Sequence, residues 1–402
     1  MASLDGMRVL DMTQYEAGPS CTQYLAWLGA DVIKVERPSG DAGRHTGKGL
    51  GRFKADPQYF MNYNGNKRSV VLDLRHPKGR ETFLALVREV DVLVENFGPG
   101  VIESLDLTDE VLRPLNPRLI YVRIKGFGLS GPYKDYNAYD WVAQAAAGSF
   151  STTGDPDGPP MIVGPTIGDS GTGIQAALGV VAAYVEQQRT GLGQAIELSM
   201  QEAATMFMRT LEPSFWKERA AARTGVRRGN AGGGLYPCYG GGPNDWVFIF
   251  PVTTQMVDAL CIAIGRPDLL DEPRFATPAA RAEHTDEFRA EIELWTRCHE
   301  KREVMRIIAG AGCPCSYVFD TEDLFHDPHL KARGFIQYVD HPENGRVPLM
   351  RHPLRMRGVV PQGRAPLLGE HTDEVLREVL GYDGATLEAL RAEGVTTSHV
   401  PV

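Results

Sequence analysis

The residues best placed to do chemistry lie in Gly164-Pro-Thr-Ile-Gly-Asp-Ser-Gly-Thr-Gly-Ile174, where one carboxylate, Asp169, sits between glycines just ahead of a long apolar segment. Glycines at 168, 171 and 173 permit close approach of backbone to a ligand. Free N–H groups at a helix start hold negative charge. Asp is also a common helix N-cap, so the stretch alone leaves both a chemical and a capping role open. A second candidate is the run Gly232-Gly-Gly234, inside a glycine-dense stretch from Arg227 to Asp245. It reads either as a flexible linker or as a mobile flap whose N–H groups meet a developing negative charge. Cys313-Pro-Cys315 is the closest cysteine pair, but no further ligands cluster beside it, so packing is the expected role and no metal site is expected.

The elements that must position these residues alternate along the first third of the chain. Strands are expected at Met7–Met12, Asp31–Glu36, Ser69–Leu74, Asp91–Asn96 and Leu119–Ile124. Residues 19–28 can form a helix after the Gly18-Pro19 turn, and Pro77 opens another with an apolar stripe of Phe83, Leu84, Leu86 and Val87. Strands separated by helices imply parallel pairing with right-handed crossovers. Ligands of such sheets bind beyond the carboxyl ends of the strands. That directs attention to Gln14–Pro19, Glu36–Pro38, Leu72–Arg75, Asn96–Gly98 and Lys125–Gly128. Glu16-Ala17-Gly18-Pro19 stands after the first strand in place of a Gly-x-Gly-x-x-Gly fingerprint, which argues against conventional NAD binding.

Further on, helices are expected at 138–147 and 174–186, a Gly/Pro/Asp loop at 154–160, and a strand from Gln194 leading into a helix. Helices follow near 252–265, 285–311 and 320–333, then a Pro-punctuated extended stretch at 336–362. Thr372 can cap a final amphipathic helix carrying Val375, Leu376, Val379 and Leu380. The 402 residues suggest two or three domains, and 43% apolar with 23% charged residues is a globular composition. A net charge of −9 argues against non-specific nucleic-acid binding. No apolar run is long enough to span a bilayer, and six sparse cysteines make no disulfide scaffold. A reducing, cytoplasmic setting is expected, without a secretory signal.

Taken together the chain resembles the class III coenzyme A transferases, the family that includes formyl-CoA:oxalate and carnitine CoA-transferases and α-methylacyl-CoA racemase. The resemblance runs from Leu4-Asp-Gly-Met-Arg-Val-Leu-Asp11 through Leu28-Gly-Ala-Asp-Val-Ile-Lys-Val-Glu-Arg37, Asn66-Lys-Arg-Ser69, Glu95-Asn-Phe-Gly-Pro-Gly100, Gly131-Pro-Tyr133 and Thr190-Gly-Leu-Gly-Gln194 to Leu368-Gly-Glu-His-Thr-Asp-Glu374. The resemblance implies that Asp169 is a nucleophile forming an acyl-aspartyl anhydride and then an aspartyl-CoA thioester. It implies that Gly233 and Gly234 belong to a glycine flap serving the same chemistry. It places coenzyme A at Glu16, Ala17, Arg37, Leu72, Arg75, Asn96, Phe97, Gly98, Lys125, Asn137 and Tyr139, with Arg37 and Arg75 able to meet phosphate oxygens. Ser104 and Asn137 depart from the arginine and lysine of the oxalate-using enzymes. Leu235-Tyr236 replaces a glycine and a glutamine after the flap, which favours a larger or less polar acceptor acid than oxalate. Trp246 and Tyr239 are candidates for the pocket wall or the core.

The alternative within the family is a 2-methylacyl-CoA racemase or epimerase. It needs a second acid/base group, a histidine in that branch, facing the aspartate. Tyr139 stands at that position, and none of the ten histidines lies between His76 and His284. The expected substrates are therefore an acyl-CoA and a small free carboxylic acid, with no tightly bound cofactor and no metal. The implied fold is α/β: a large Rossmann-like parallel-sheet domain over 1–200, completed by 335–402, and a smaller α/β domain over 225–330. Residues 201–224 and 331–362 would be linkers. The implied assembly is an interlocked-ring homodimer, with no nucleic-acid or membrane partner.

Overall fold

Short apolar runs such as Val92-Leu-Val-Glu95 are suited to strands covered on both faces, and the computed structural model shows them so. It describes residues 1–47, 56–211 and 220–398. The chain forms β1 (Arg8–Asp11), α1 (Ala17–Trp27), β2 (Asp31–Glu36), α2 (Gln58–Asn64), β3 (Arg68–Val71), α3 (Pro77–Arg88) and β4 (Val92–Glu95). There follow α4 (Val101–Ser104), α5 (Asp109–Leu112), β5 (Ile120–Lys125), α6 (Asp140–Ala146), α7 (Ser170–Thr190), β6 (Ala195–Ser199) and α8 (Met200–Thr205). β1 to β6 make one sheet in the order β3-β2-β1-β4-β5-β6, with every pair parallel.

The period-2 alternation of the strands divides the core in two. Leu10, Ile33, Leu93 and Tyr121 face Phe83, Leu86 and Val87 of α3. Their sequence neighbours Val9, Val32, Val92 and Ile120 face Leu25 of α1 and Ala176 and Val180 of α7. Helices on both faces are what an all-parallel sheet requires. Gly173 lets α7 lie close on α1, because a Cβ there would stand 2.6 Å from the Ser20 Cβ and 2.7 Å from the Ala17 carbonyl oxygen.

The second half supplies β7 (Gly234–Pro237), β8 (Trp246–Ile249), α9 (Thr254–Ala263), α10 (Pro278–Glu283), α11 (Thr285–Thr296), α12 (Lys301–Gly310), β9 (Cys315–Tyr317), α13 (Thr321–His326) and α14 (Pro328–Ala332). β7, β8 and β9 form an antiparallel sheet. It packs on α9, α11 and α12 through Tyr236, Val247, Leu260, Phe288, Ile292 and Ile308. The chain ends with β10 (Ile336–His341), β11 (Gly345–Met350), α15 (Thr372–Leu380) and α16 (Gly384–Ala392).

Two compact units result: Met1–Phe150 with Ile162–Ala221 and Gly334–Val402, and Ser151–Met161 with Ala222–Arg333. Several local expectations differ from this. The 154–160 loop groups with the second unit, where the Gly154 carbonyl accepts from the Gly225 N–H at 3.0 Å. Residues 331–362 are no plain linker: β10 and β11 pair as an antiparallel hairpin, whose Val347 and Leu349 cover Phe60 and Met61 of α2. Part of the 201–224 stretch lies outside the described residues. The single helix expected over 285–311 is two, α11 and α12, with Glu300 extended between them. Thr372 does not cap α15; that position is His371, and the Thr372 hydroxyl instead accepts from the Val71 N–H at 3.1 Å. Cys313 is buried in the core of the second unit, and all six cysteines are free. Among the described residues no helix is long and apolar enough to cross a membrane, and no group of three or more potential ligands could hold a metal ion.

Candidate active site

In the order β3-β2-β1-β4-β5-β6 the chain reverses direction of growth between β1 and β4, the point at which open parallel sheets leave a crevice. Asn96 closes this point. Its side-chain oxygen accepts from the Gln14 N–H and its amide donates to the Gln14 carbonyl, both at 2.8 Å. On the next turn Glu95 accepts from the Phe97 N–H at 2.8 Å, and Lys125 reaches both the Glu95 carboxylate at 2.8 Å and the Phe97 carbonyl at 2.7 Å.

The loop after β1 rests on buried ion pairs. Lys34 bonds the Asp41 carboxylate and the Thr13 carbonyl, each at 2.8 Å. Lys67 pairs with Asp11 at 3.0 Å. Burial alone would raise Asp11, but Lys67, Lys34 and the hydroxyls of Thr13 and Thr22 hold it down at about 2. Asp41 also accepts from the Tyr15 N–H at 3.2 Å. Tyr15 is one of three non-glycine residues at positive φ among the described residues, 62°, a conformation that such residues adopt only when neighbours impose it. The adjacent Glu16 then opens α1. Its carboxylate is buried and accepts from the Ser170 hydroxyl at 2.6 Å and from the Thr166 hydroxyl.

Asp169 meets Glu16 from the start of α7. It occupies the N-cap position but makes no capping hydrogen bond. The α7 start is already satisfied: the Ser170 N–H donates to Thr166 at 2.9 Å and the Gly171 N–H to Ile167 at 3.1 Å. The capping role is therefore excluded, and those N–H groups are not open to an anion. Asp169 is held by its own backbone, whose N–H donates to Asp140 Oδ1 at 2.9 Å, while Gln144 holds Asp140 Oδ2 at 2.7 Å. Burial, then the negative charges of Glu16 and Asp140, push the Asp169 carboxyl up to about 8. Asp11 and Asp169 are both buried carboxylates; among the described residues the first has ammonium partners and the second none.

Two cavities open at these strand ends. One, about 400 Å³, is lined by Glu16, Ala17, Asn96, Phe97, Gly98, Lys125, Asn137, Tyr139 and Asp169. The other, about 590 Å³, is lined by Arg37, Leu72, Arg75 and, again, Phe97. The positions singled out in the first unit thus all come together here. Gln14 and Phe97 line both cavities. Arg37 and Arg75 are exposed and enter no salt bridge among the described residues. Ser104 lines the second cavity too. Lys125 is a partial exception: it lines the first cavity, but its ammonium is committed to Glu95 and Phe97, so it shapes the wall rather than offering a free cation. Sequence reasoning missed Tyr15, Lys134, Tyr136 and the supporting Asp140; Tyr15 lay inside the inspected Gln14–Pro19 segment without being singled out.

The glycines do something other than expected. Gly168 makes room for Asp140, whose carbonyl oxygen would be 2.7 Å from an added Cβ. Gly171 makes room for the Phe207 ring at 2.7 Å. Neither lines the cavity, and nor does Gly173. In the second unit Gly233 donates its N–H to the Asn230 carbonyl at 2.8 Å, and Gly234 begins β7. In this conformation the Gly233 N–H is spent within the turn and unavailable to an oxyanion. Tyr236 is no pocket edge either. It is fully buried, donating its hydroxyl to the Gly232 carbonyl at 2.7 Å. Leu235 and Trp246 line a separate recess of about 230 Å³, and Tyr239 is exposed.

The profile of CoA-transferase family III matches residues 4–372. The chain belongs to CoA-transferase family III. It is 42% identical over 416 residues to a formyl-CoA:oxalate CoA-transferase of Rhodopseudomonas palustris, covering 98% of this chain and 97% of that one. A protein of the same name from Streptomyces avermitilis is 40% identical over 417 residues, covering 98% and 99%. Among solved structures, a CAIB/BAIF family protein from Brucella suis superposes with a TM-score of 0.84 at 31% identity, over 94% of this chain and 99% of that chain. Rv3272 from Mycobacterium tuberculosis gives 0.79 at 28%, over 93% and 98%. The chain is thus an enzyme of the CoA-transferase class, with the α/β fold of that family and CoA thioesters as its substrates.

Proposed function

We propose that this transferase moves coenzyme A from an acyl-CoA donor to a free carboxylic acid by way of Asp169. The observation that carries the reading is a buried carboxylate with no capping bond and, among the described residues, no cation partner, facing the cavity at the sheet's switch point. Ionised Asp169 attacks the thioester carbonyl, and the carbon–sulfur bond breaks to give an acyl-aspartyl anhydride and the CoA thiolate. The thiolate attacks the aspartyl carbonyl, releasing the donor acid and leaving an aspartyl-CoA thioester. The acceptor carboxylate displaces the thiolate to form a second anhydride. The thiolate then takes the acceptor acyl group and frees Asp169. Covalent relay divides one difficult exchange into easier steps, and a desolvated carboxylate is a stronger nucleophile than a hydrated one.

The nucleotide portion of CoA fits the 590 Å³ cavity, where Arg37 and Arg75, in no salt bridge among the described residues, would meet phosphate oxygens. The pantetheine arm would pass Phe97 and Gln14, common to both cavities, toward Asp169. Names of the relatives point to formyl-CoA as donor and oxalate as acceptor. With Tyr236 buried in its own core, that residue gives no reason to prefer a larger acid, so oxalate heads the acceptors to test. An interlocked homodimer is the assembly implied by the family resemblance, to be tested by mass measurement in solution.

The deciding experiment supplies purified protein with formyl-CoA and other acyl-CoA donors, oxalate and longer dicarboxylates, and detects new thioesters by mass. Hydroxylamine trapping during turnover is expected to label Asp169. Label at no aspartate, or turnover that persists in Asp169→Ala, rejects the relay. Solvent proton exchange into a 2-methylacyl-CoA is expected to be absent, and its appearance would favour the racemase.

A further inference from the structure

The arginines of the second unit fall into two groups. Arg266, Arg274, Arg297 and Arg302 each pair with a carboxylate. Arg281 and Arg289 are only 4% and 8% exposed, yet enter no salt bridge among the described residues. Arg281 donates to the Phe275 carbonyl; Arg289 donates to the carbonyls of Gly233 at 2.8 Å and Leu235 at 2.9 Å. A guanidinium has five donors and cannot discharge; Arg289 also lies 4.3 Å over the Tyr236 ring, but carbonyls and a ring give neither side chain an anionic partner and leave N–H capacity unused. Both side chains line one cavity of about 390 Å³. Arg227 and Arg228 also line it, with Asn230 and Thr253, and among the described residues no Asp or Glu does. Arg227 is drawn toward Asp286 outside the lining, at 2.5 Å, whereas Arg228 makes no ion pair among the described residues.

We propose that this cavity is an anion-binding site for a small molecule carrying phosphate or carboxylate groups with two negative charges. Buried cations without counter-charges are costly to hold, and a dianion between Arg281 and Arg289 supplies what the fold omits. The cavity's size falls within the range of small-molecule sites. Because Arg289 also clamps the carbonyls on either side of Gly234, occupancy stiffens the glycine turn. The site does not depend on the transfer reading, and it persists if Asp169 proves not to be the nucleophile.

The test is calorimetric titration of the full-length protein with inorganic phosphate and, separately, with succinate. Saturable binding of at least one anion is expected, and which one binds identifies the group recognised. Arg281→Gln and Arg228→Gln should each weaken it at least tenfold. Arg37→Gln with Arg75→Gln, at the first unit's cavity, should leave the component that depends on Arg228 unchanged, even where it removes phosphate binding of its own. Absence of saturable binding by both anions overturns the proposal. So does binding that the Arg37 and Arg75 changes remove entirely and the Arg228 change does not. If Arg281→Gln fails to fold, Arg228→Gln stands alone, together with amide exchange: the anion should slow exchange at Gly233 and Leu235, and unchanged exchange there would refute the coupling. In Asp169→Ala, anion binding should persist even where turnover is lost.

Discussion

The two units answer burial of charge in opposite ways. At the sheet's switch point three carboxylates, Glu16, Asp140 and Asp169, converge, and the result is a carboxyl whose proton is retained up to about 8. In the second unit Arg281 and Arg289 are buried around a cavity lined, among the described residues, by no acid. A carboxylate can meet desolvation by taking up a proton, whereas a guanidinium cannot shed one. The first region therefore stores its strain as basicity, suited to a nucleophile. The second has carbonyls and the Tyr236 ring as partners, and an external anion would supply the charge they lack. In the first unit Asp11 is the counter-example, a buried carboxylate given Lys67 and Lys34, which stays ionised and holds the loop.

Replacing Asp169 should have the largest effect. Asp169→Asn is expected to lower transfer by a factor on the order of 10³ or more, as expected when a covalent nucleophile is removed. The same variant breaks the comparison through stability. The folded-state value near 8 lies above the ordinary aspartate value of 3.8, so the wild type is favoured while Asp169 is protonated and loses that stability as pH rises from about 4 through about 8. Relative to wild type, the melting temperature of Asp169→Asn should therefore rise across that window. A constant difference would mean that the carboxyl is not held protonated.

Next in size is Gly168→Ala. An added Cβ would stand 2.7 Å from the Asp140 carbonyl oxygen and 2.9 Å from its Oδ1. A cost of about 1–3 kcal/mol is expected, measured by denaturant unfolding, with transfer falling further than stability because Asp140 holds Asp169. Asn96→Ala removes both bonds to Gln14. A loss of about 1–2 kcal/mol is expected, together with a higher KM for acyl-CoA. The smallest effect sharpens the electrostatic half of the comparison. Glu16→Gln removes a neighbouring negative charge and lets Asp169 ionise more readily, so the acid limb of the turnover–pH profile should move to lower pH by about one unit. A shift to higher pH would show that Glu16 is not an opposing charge.

Most of the first unit was legible in the chain. Asp31–Glu36 is a strand with the expected ends, because an apolar run bounded by turn residues has few other uses. Pro77 opens α3 as expected, with proline in the first turn. The cavity residues were legible because their place after strands follows from chain order. The hairpin of β10 and β11 was not legible, since its pairing depends on α2 nearly three hundred residues earlier offering Phe60 and Met61. Nor was the purpose of the glycines. Their small size was visible, but whether the space serves a ligand or a neighbouring element is settled only by what lies opposite.

By itself the amino-acid sequence determined the parallel α/β architecture, the family and the candidate carboxylate, since periodicity, turn residues and motif order are local properties. Tertiary structure decided the states of the charged groups. Nothing in the local sequence around Asp11 and Asp169 says that one will face two ammonium groups and the other two carboxylates. Nothing around Arg281 and Arg289 says that the described lining of their cavity will contain no acid. Charge state depends on distance and dielectric between groups far apart in the chain, and only the folded packing sets those.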